Sequence, residues 1–350
     1  MPFDFDFELL RELTETSGVP GYEDRVRDRV RTVFDEAVDE VRTDSMGNVI
    51  GTIEGSGDYE VAVAAHMDEI GFMVKHVTDD GFLKVDALGG WDARVLRAQR
   101  VRVHTQQGDL TGVIGSVPPH TLSKEDREKE DAVEDVVIDL GMDGEDVEEV
   151  VSVGDLVTME QTTVEMGETV TGKALDDRVC LFAMLESARE LTDPEATVHF
   201  CATVQEEVGL RGAQALGVDI DPDLAVALDV TIASDVEGVA EDKQVTRLGE
   251  GAAVKLKDSS VITNPKVTRR LRDVAEAEEI PHQLEVLPAG GTDTAGFQNT
   301  NGAKPVGAIS IPTRYLHTVT ETAHGEDIRS TIDLLTAFLD SEDGTHDYTL

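Results

Sequence analysis

Glu60-Val61-Ala62-Val63-Ala64-Ala65-His66-Met67-Asp68-Glu69 is an apolar run, mostly Val and Ala, that stops at an imidazole followed by two carboxylates. A short run of this kind reads as a strand buried on both faces, as in a sheet covered by helices on either side. Sheets of that type build their sites where the strands end. His66 with Asp68 two residues later therefore suits a metal ligand with a supporting carboxylate beside it, although a histidine at a strand end is also a common structural residue.

Outward from this strand the chain alternates. On its N-terminal side, Phe7 to Thr16 carries Leu9, Leu10 and Leu13 on one helical face. Ser17-Gly18-Val19-Pro20-Gly21 breaks that helix, and a second begins near Glu23 with Val26, Val30, Val33 and Phe34 at helical spacing. Gly47 to Gly51 is a turn into a further strand. From about Gly71 to Val170 short Val-rich runs alternate with Gly and Asp turns, at Gly81–Val85, Gln99–His104, Asp109–Ile114 and Asp155–Met159. That texture predicts an all-β module. Within it Leu122 to Glu134 is dense in charge and reads as an exposed loop, with gating or chamber-shaping as its expected role. After Gly172 the α/β pattern resumes. A helix is expected over Asp177–Leu191, strands over Thr197–Val204, Leu224–Val230 and Ala308–Ile311, a helix capped by Asn264-Pro265, and a closing helix over Asp327–Leu339. The expected fold is an α/β sheet domain split in sequence by a β-barrel-like insert.

The chain has 350 residues, 72 of them acidic against 30 basic, for a net charge of −42. That charge repels nucleic-acid phosphates and anionic membranes, so neither is an expected partner. No run of 18 apolar residues is present, and the start Met1-Pro2-Phe3-Asp4-Phe5-Asp6 lacks the basic and apolar regions of a signal peptide. Cys180 and Cys201 sit in apolar surroundings and are too few for a disulfide framework. A cytoplasmic protein is expected. The even acidic coat, with few lysines and aromatics, resembles a halophile's protein, in which molar salt screens the self-repulsion.

Four further strand or helix ends carry chemistry. Thr197–Val204 runs into Gln205-Glu206-Glu207, whose adjacent carboxylates point to opposite sides. They are costly there unless a cation or a proton-transfer role requires them, though an acidic loop in an acidic protein is an equal reading. Asp229 closes the apolar run Ala225–Leu228. Asp176-Asp177 opens a helix, where the dipole alone favours acidic residues. His317 lies just past Ile311–Leu316. Together these are two histidines, three carboxylates and a spare glutamate at successive strand ends. That is the ligand set of a two-metal hydrolytic site.

The blocks His66–Met73, Gly172–Arg178, Gln205–Gly212, Ala227–Thr231, Gly290-Gly291-Thr292-Asp293 and Ile311–His317 resemble, in order and over nearly the whole chain, the tetrahedral aminopeptidases. These are co-catalytic zinc or cobalt peptidases, also labelled glutamyl or deblocking aminopeptidases and, misleadingly, endoglucanases. The resemblance implies a mixed-sheet phosphorylase/hydrolase-like peptidase domain with helices on both faces over residues 1–71 and 171–350. It implies a PDZ-like β-barrel dimerisation domain over residues 72–170. Asp176 would bridge two divalent ions per subunit, zinc or cobalt, with manganese compatible. His66 and Asp229 would complete one ion, and Glu207 and His317 the other. Glu206 would be the general base and Asp68 would orient His66. Asp177, which varies between Asp and Asn in that family, is left out of the ligand set. Gly290, Gly291, Thr292 and Asp293 would form a flexible substrate wall. The implied activity is release of N-terminal residues from short peptides, by dimers assembled into a dodecamer. A two-metal hydrolase of another bond, in an acylamino acid or a glycoside, is the alternative, and a non-catalytic scaffold is a third reading.

Overall fold

The protein is described by a computed structural model covering residues 3–125, 129 and 132–350; the expected charged loop over residues 122–134 lies partly outside them. The strands are β1 (Glu40–Thr43), β2 (Val49–Ile53), β3 (Glu60–His66), β4 (Gly71–Val77), β5 (Leu83–Leu88), β6 (Arg100–Thr105), β7 (Gly108–Ile114), β8 (Val137–Asp139), β9 (Leu156–Met159), β10 (Val164–Met166) and β11 (Thr169–Gly172). They continue with β12 (Thr197–Thr203), β13 (Leu224–Ile232), β14 (Ala252–Lys257), β15 (His282–Val286), β16 (Val306–Arg314) and β17 (Glu321–His324). The helices are α1 (Phe7–Glu15), α2 (Asp24–Ala37), α3 (Gly144–Val150), α4 (Leu175–Glu190), α5 (Arg211–Ile220), α6 (Pro265–Ala277), α7 (Thr294–Gln298) and α8 (Gly325–Asp340).

One mixed sheet runs in the order β1-β2-β12-β3-β13-β16-β17-β11-β10, with β14 and β15 attached through β16. Its centre is parallel: β12, β3, β13 and β16 lie side by side in the same direction, so their C-terminal ends meet on one edge. Buried β3 shows why the Val/Ala run suits this place. Val61, Val63 and Ala65 pack into the large core formed with α1, α2, α4 and α8. Ala62 and Ala64 pack on the opposite face against Ala213 and Leu216 of α5 and Phe297 of α7. Small residues on that second face let the helices approach closely.

Strands β4 to β9 close a separate barrel, in the order β4-β5-β8-β7-β6-β9, around its own core of Phe72, Val74, Leu83, Val85, Val101, Val103 and Val157. The chain leaves the barrel before residue 170, where the sequence placed the end of the insert. Val164–Met166 already folds back on Thr169–Gly172, and the latter pairs with β17 in the large sheet. The expected helices and strands after Gly172 are present, with Asn264 capping α6 through its side chain. The regular turns of α4 start later than its boundary suggests, because Asp176 and Asp177 are not helical. The sequence reading did not include α5, β14 and β15. Among the described residues, no helix is long and apolar enough to cross a membrane.

A buried polar knot fastens the sheet edge to the N-terminal helices. Arg178 is fully buried in α4 and donates to the carbonyls of Leu13, Thr16 (2.8 Å) and Met67 (2.6 Å). Glu69 accepts from Lys173 Nζ at 2.5 Å and from the Gly18 amide at 3.1 Å, with the Arg178 guanidinium 3.9 Å away. Removing one partner from such a knot leaves buried charge and carbonyls unsatisfied. Arg178→Met is therefore expected to lose about 3–5 kcal/mol of stability, read from denaturant unfolding at fixed salt; an unchanged midpoint would show that the knot is dispensable.

Candidate metal centre

The parallel strands deliver their terminal residues to one cavity of about 320 Å³, lined by Asp176, Glu206, Glu207, Gly209, Leu210, Asp229, Gly290, Gly291 and His317. A larger cavity of about 780 Å³ lies under the C-terminal tail, around Tyr59, Asn264, Lys304 and Tyr348. Side chains able to ligate a metal converge in two groups within the described residues, His66 with Asp176, Asp177 and Asp229, and Asp176 with Glu207 and His317.

Asp176 belongs to both groups. Its Oδ1 lies 3.3 Å from Nε2 of His66 and its Oδ2 lies 3.5 Å from Nε2 of His317. Each imidazole has its other nitrogen engaged by a backbone carbonyl. His66 Nδ1 is 3.0 Å from the Asp68 carbonyl and His317 Nδ1 is 2.8 Å from that of Gly90. With Nδ1 engaged by a carbonyl, Nε2 is the nitrogen turned toward Asp176, the one through which each histidine would ligate a metal. Asp68 is thus beside His66, as the sequence implied, but through its carbonyl. Its carboxylate, with Oδ1 3.6 Å from His66 Nδ1, accepts the amides of Glu206 and Glu207, both at 3.1 Å.

The electrostatics express crowding. Burial, and then neighbouring carboxylates, hold Asp177, Glu206, Glu207 and Asp229 well above the ordinary carboxylate range, against the pull of His66. Burial also raises Asp176, but the hydrogen bond from His66 and the charges of His317 and His66 bring it below its ordinary value. Burial pulls His66 down, and its contacts with Asp176 and Asp68 more than reverse this. Asp293 is pushed up to about 6 by burial. Glu207 Oε1 is buried with no hydrogen-bond partner among the described residues. Imidazole nitrogens, carboxylate oxygens and an unpartnered buried oxygen around one space fit divalent cations, which would relieve the repulsion.

Several positions depart from easy backbone geometry. Ala174, Gln205, Leu210 and His317 are non-glycine residues in the left-handed region, with φ of 52°, 55°, 57° and 57°. Such conformations persist only where the surroundings enforce them, and these flank the groups that meet in the cavity.

A family model described as M42 glutamyl aminopeptidase matches residues 47–334. The chain belongs to the M42 family. Like its relatives it is a metal-dependent aminopeptidase. It is similar to the lysyl aminopeptidase of Pyrococcus furiosus, at 37% identity over 342 residues, covering 96% of this chain and 97% of that one. Among solved structures, a TET aminopeptidase from a marine-sediment Thaumarchaeota archaeon superposes with a TM-score of 0.94 at 35% identity, covering 97% and 96% of the two chains. The TET1 peptidase of Pyrococcus horikoshii, described as able to assemble into a tetrahedron or a large octahedral shell, gives 0.87 at 34% identity over 96% and 99%.

Every candidate ligand from the sequence lies in the two groups. Of the expected substrate wall, Gly290 and Gly291 line the cavity, whereas Thr292 and Asp293 are buried. Thr292 donates to Thr294 Oγ1 at 2.8 Å, and Asp293 accepts from Thr203 Oγ1. Asp177, left out of the ligand set, is buried within the first group and accepts the His66 amide at 3.2 Å. Glu23, which the sequence reading did not single out, accepts the Gln205 amide at 3.3 Å and is pushed up to about 7 by burial and by Asp68. Dialysis against a chelator is expected to lower the melting temperature, since an ion at a thousand times its Kd stabilises a fold by about 4 kcal/mol. Zinc, cobalt or manganese should restore it in the wild type but not in Asp176→Asn; identical melting with and without metal would count against a metal centre here.

Proposed function

We propose that the chain releases N-terminal residues from short peptides at a centre of two divalent ions, zinc or cobalt, with manganese also compatible with the donor set. The observation that carries this reading is the position of Asp176, one oxygen facing His66 and the other His317. His66, Asp176 and Asp229 would hold one ion, with Asp177 within reach of the same group, and Asp176, Glu207 and His317 the other. Ions bound there would supply a lowered water pKa and Lewis-acid polarisation of the scissile carbonyl.

The protein groups do the remaining work. Glu206 lines the cavity, and burial holds its carboxyl well above the usual range, which suits a group that must take a proton from water and return it to the leaving amine. Asp68 fixes Glu206 by its backbone amide and leaves the Glu206 side chain free for that transfer. Gly290 and Gly291 bring backbone without side chains to the cavity wall, where a peptide main chain can approach. The carboxylate-lined cavity favours a cationic α-amino group over an acylated one, which sets this reading apart from a deacylase or glycosidase.

In this proposal the α/β part, expected over residues 1–71 and 171–350, is the catalytic unit, and the insert expected over residues 72–170, whose closed barrel ends with β9, is the unit through which subunits pair. Assembly into a dodecamer, through pairing of subunits, is supported by the likeness to TET1 structures described as a dodecamer and as a tetrahedron or octahedral shell. A cytoplasmic protein acting on peptides, with no nucleic acid or membrane partner, is consistent with the charge of −42. The same charge supports a high-salt habitat.

Glu206→Gln should keep metal content and lose at least about a hundredfold in turnover. N-acetylation of a wild-type substrate should abolish cleavage; equal rates on free and acetylated peptides would reject aminopeptidase action. Raising KCl from dilute to molar should raise the melting temperature by screening the coat; a flat or falling curve would argue against the high-salt reading.

A further inference from the structure

Glu321 is buried at the first position of β17, opposite Gly172 of β11. Both of its carboxylate oxygens are taken by backbone amides. Oε2 accepts from Asp176 N–H at 2.9 Å and Oε1 from His317 N–H at 3.1 Å. One partner is 145 positions away in sequence and the other four. These are the residues whose side chains meet at 3.5 Å in the second group.

We propose that Glu321 is a positioning residue of the metal centre, one carboxylate that sets the separation of Asp176 and His317 by holding both their amides. The inference rests on the ligand reading of those two residues given above. A buried carboxylate is costly unless something requires it, and the like charge of Asp176 adds to that cost. Strand packing alone would be served equally by a neutral side chain. The geometry it enforces is also specific. His317 sits in the left-handed region at φ 57°, pinned at its amide by Glu321, at its carbonyl by the Asp92 amide (3.1 Å), and at Nδ1 by the Gly90 carbonyl. Asp176 follows β11 through a left-handed Ala174 and is non-helical, so no regular element fixes its backbone. Glu321 supplies that missing constraint. A glutamine retains the shape but turns an N–H₂ group toward one of two N–H donors, and an aspartate is too short to serve both.

The test is cobalt titration of the wild type, Glu321→Gln and Glu321→Asp as full chains. It follows stoichiometry by equilibrium dialysis, the visible spectrum of bound cobalt, the melting temperature, and kcat and KM separately. Loss of such an outer hydrogen-bonding partner weakens metal binding or activity by about 10–100-fold. The expected result is one ion bound as in the wild type and the second about 10–100-fold weaker, with an altered spectrum and a fall in kcat of the same order at nearly constant KM. Wild-type affinity and spectrum with only a lower melting temperature would overturn the proposal in favour of a purely structural role, as would failure of both variants to fold. A wild type that binds fewer than two ions would bring down the two-ion reading itself, and this one with it.

Discussion

The carboxylate of Asp176 stands between two imidazoles, and the remainder of the centre is built around the difficulty of keeping it there. Asp68, Asp177, Glu206, Glu207 and Asp229 crowd the same sheet edge. At an effective dielectric constant of about 20, two like charges 4 Å apart repel by about 4 kcal/mol. Several such pairs would outweigh the net stability of an ordinary domain. The crowding appears as carboxyls driven well above their usual range at Asp177, Glu206, Glu207 and Asp229. Cations held in the cavity would resolve it from inside. The fold has to resolve it from outside, by making the ligand positions independent of the side chains' mutual repulsion.

It does so through the backbone. The parallel order of β12, β3, β13 and β16 brings the strand ends to one edge, and buried carboxylates then hold the amides just beyond them. Asp68 holds Glu206 and Glu207, Glu321 holds Asp176 and His317, Asp177 holds His66, and Glu23 holds Gln205. An amide hydrogen bond to an ionised carboxylate is among the stronger ones available, and those to His66, Asp176, Glu206, Glu207 and His317 engage the backbone while leaving the side chain free. Acidity at this edge therefore has two roles, one directed at ions and one at the chain itself.

This division explains what was legible in the sequence. The candidate ligand ends were readable because each interrupts an apolar run or opens a helix: His66 closing a Val/Ala strand, Glu206-Glu207 after β12, Asp229 inside β13, Asp176 in the first, non-helical positions of α4. The amide-holding residues leave no such local mark. Glu321 follows Thr318-Val319-Thr320 and reaches Asp176 across 145 positions, and Glu23 sits in a loop like many other glutamates of this acidic chain. Asp177 was readable as a helix-opening acid, which is how the dipole argument takes it, while its contact with the His66 amide requires the folded sheet. The strands β14 and β15 escaped because their alternation is broken by buried charge, Lys255 pairing with Glu285 across the two strands. Helix α5 escaped because Gly212 and Gly217 interrupt its sequence. A Cβ at Gly212 would stand 2.3 Å from the Val204 carbonyl, so the glycine that weakens the helical signal is what lets the helix dock.

The insert is also bound to this logic, and here sequence order misleads. Read along the chain, the barrel interrupts the large sheet; in space its loop lies beside the candidate centre. Only Met67–Ile70 separates His66 from the first barrel strand. After β5 the chain returns to the cavity, where Gly90 supplies the carbonyl that holds His317 Nδ1 and Asp92 supplies the amide that holds its carbonyl. Gly89 passes so close that a Cβ would lie 2.5 Å from Ile70 and 3.2 Å from Glu207 Oε2. Trp91 anchors this loop by stacking on Phe72, with centroids 5.0 Å apart, and by donating to the Gly71 carbonyl at 3.1 Å. Farther away, Arg25 of α2 clasps Asp109 of β7 through two 2.8 Å bonds. The barrel is thus tied to α2 as well as to the edge of the cavity, and its loop fixes which nitrogen His317 presents to the cavity. A candidate ligand beyond the sheet, His317, is oriented by the insert, so both parts of the chain shape the cavity where the two candidate groups meet.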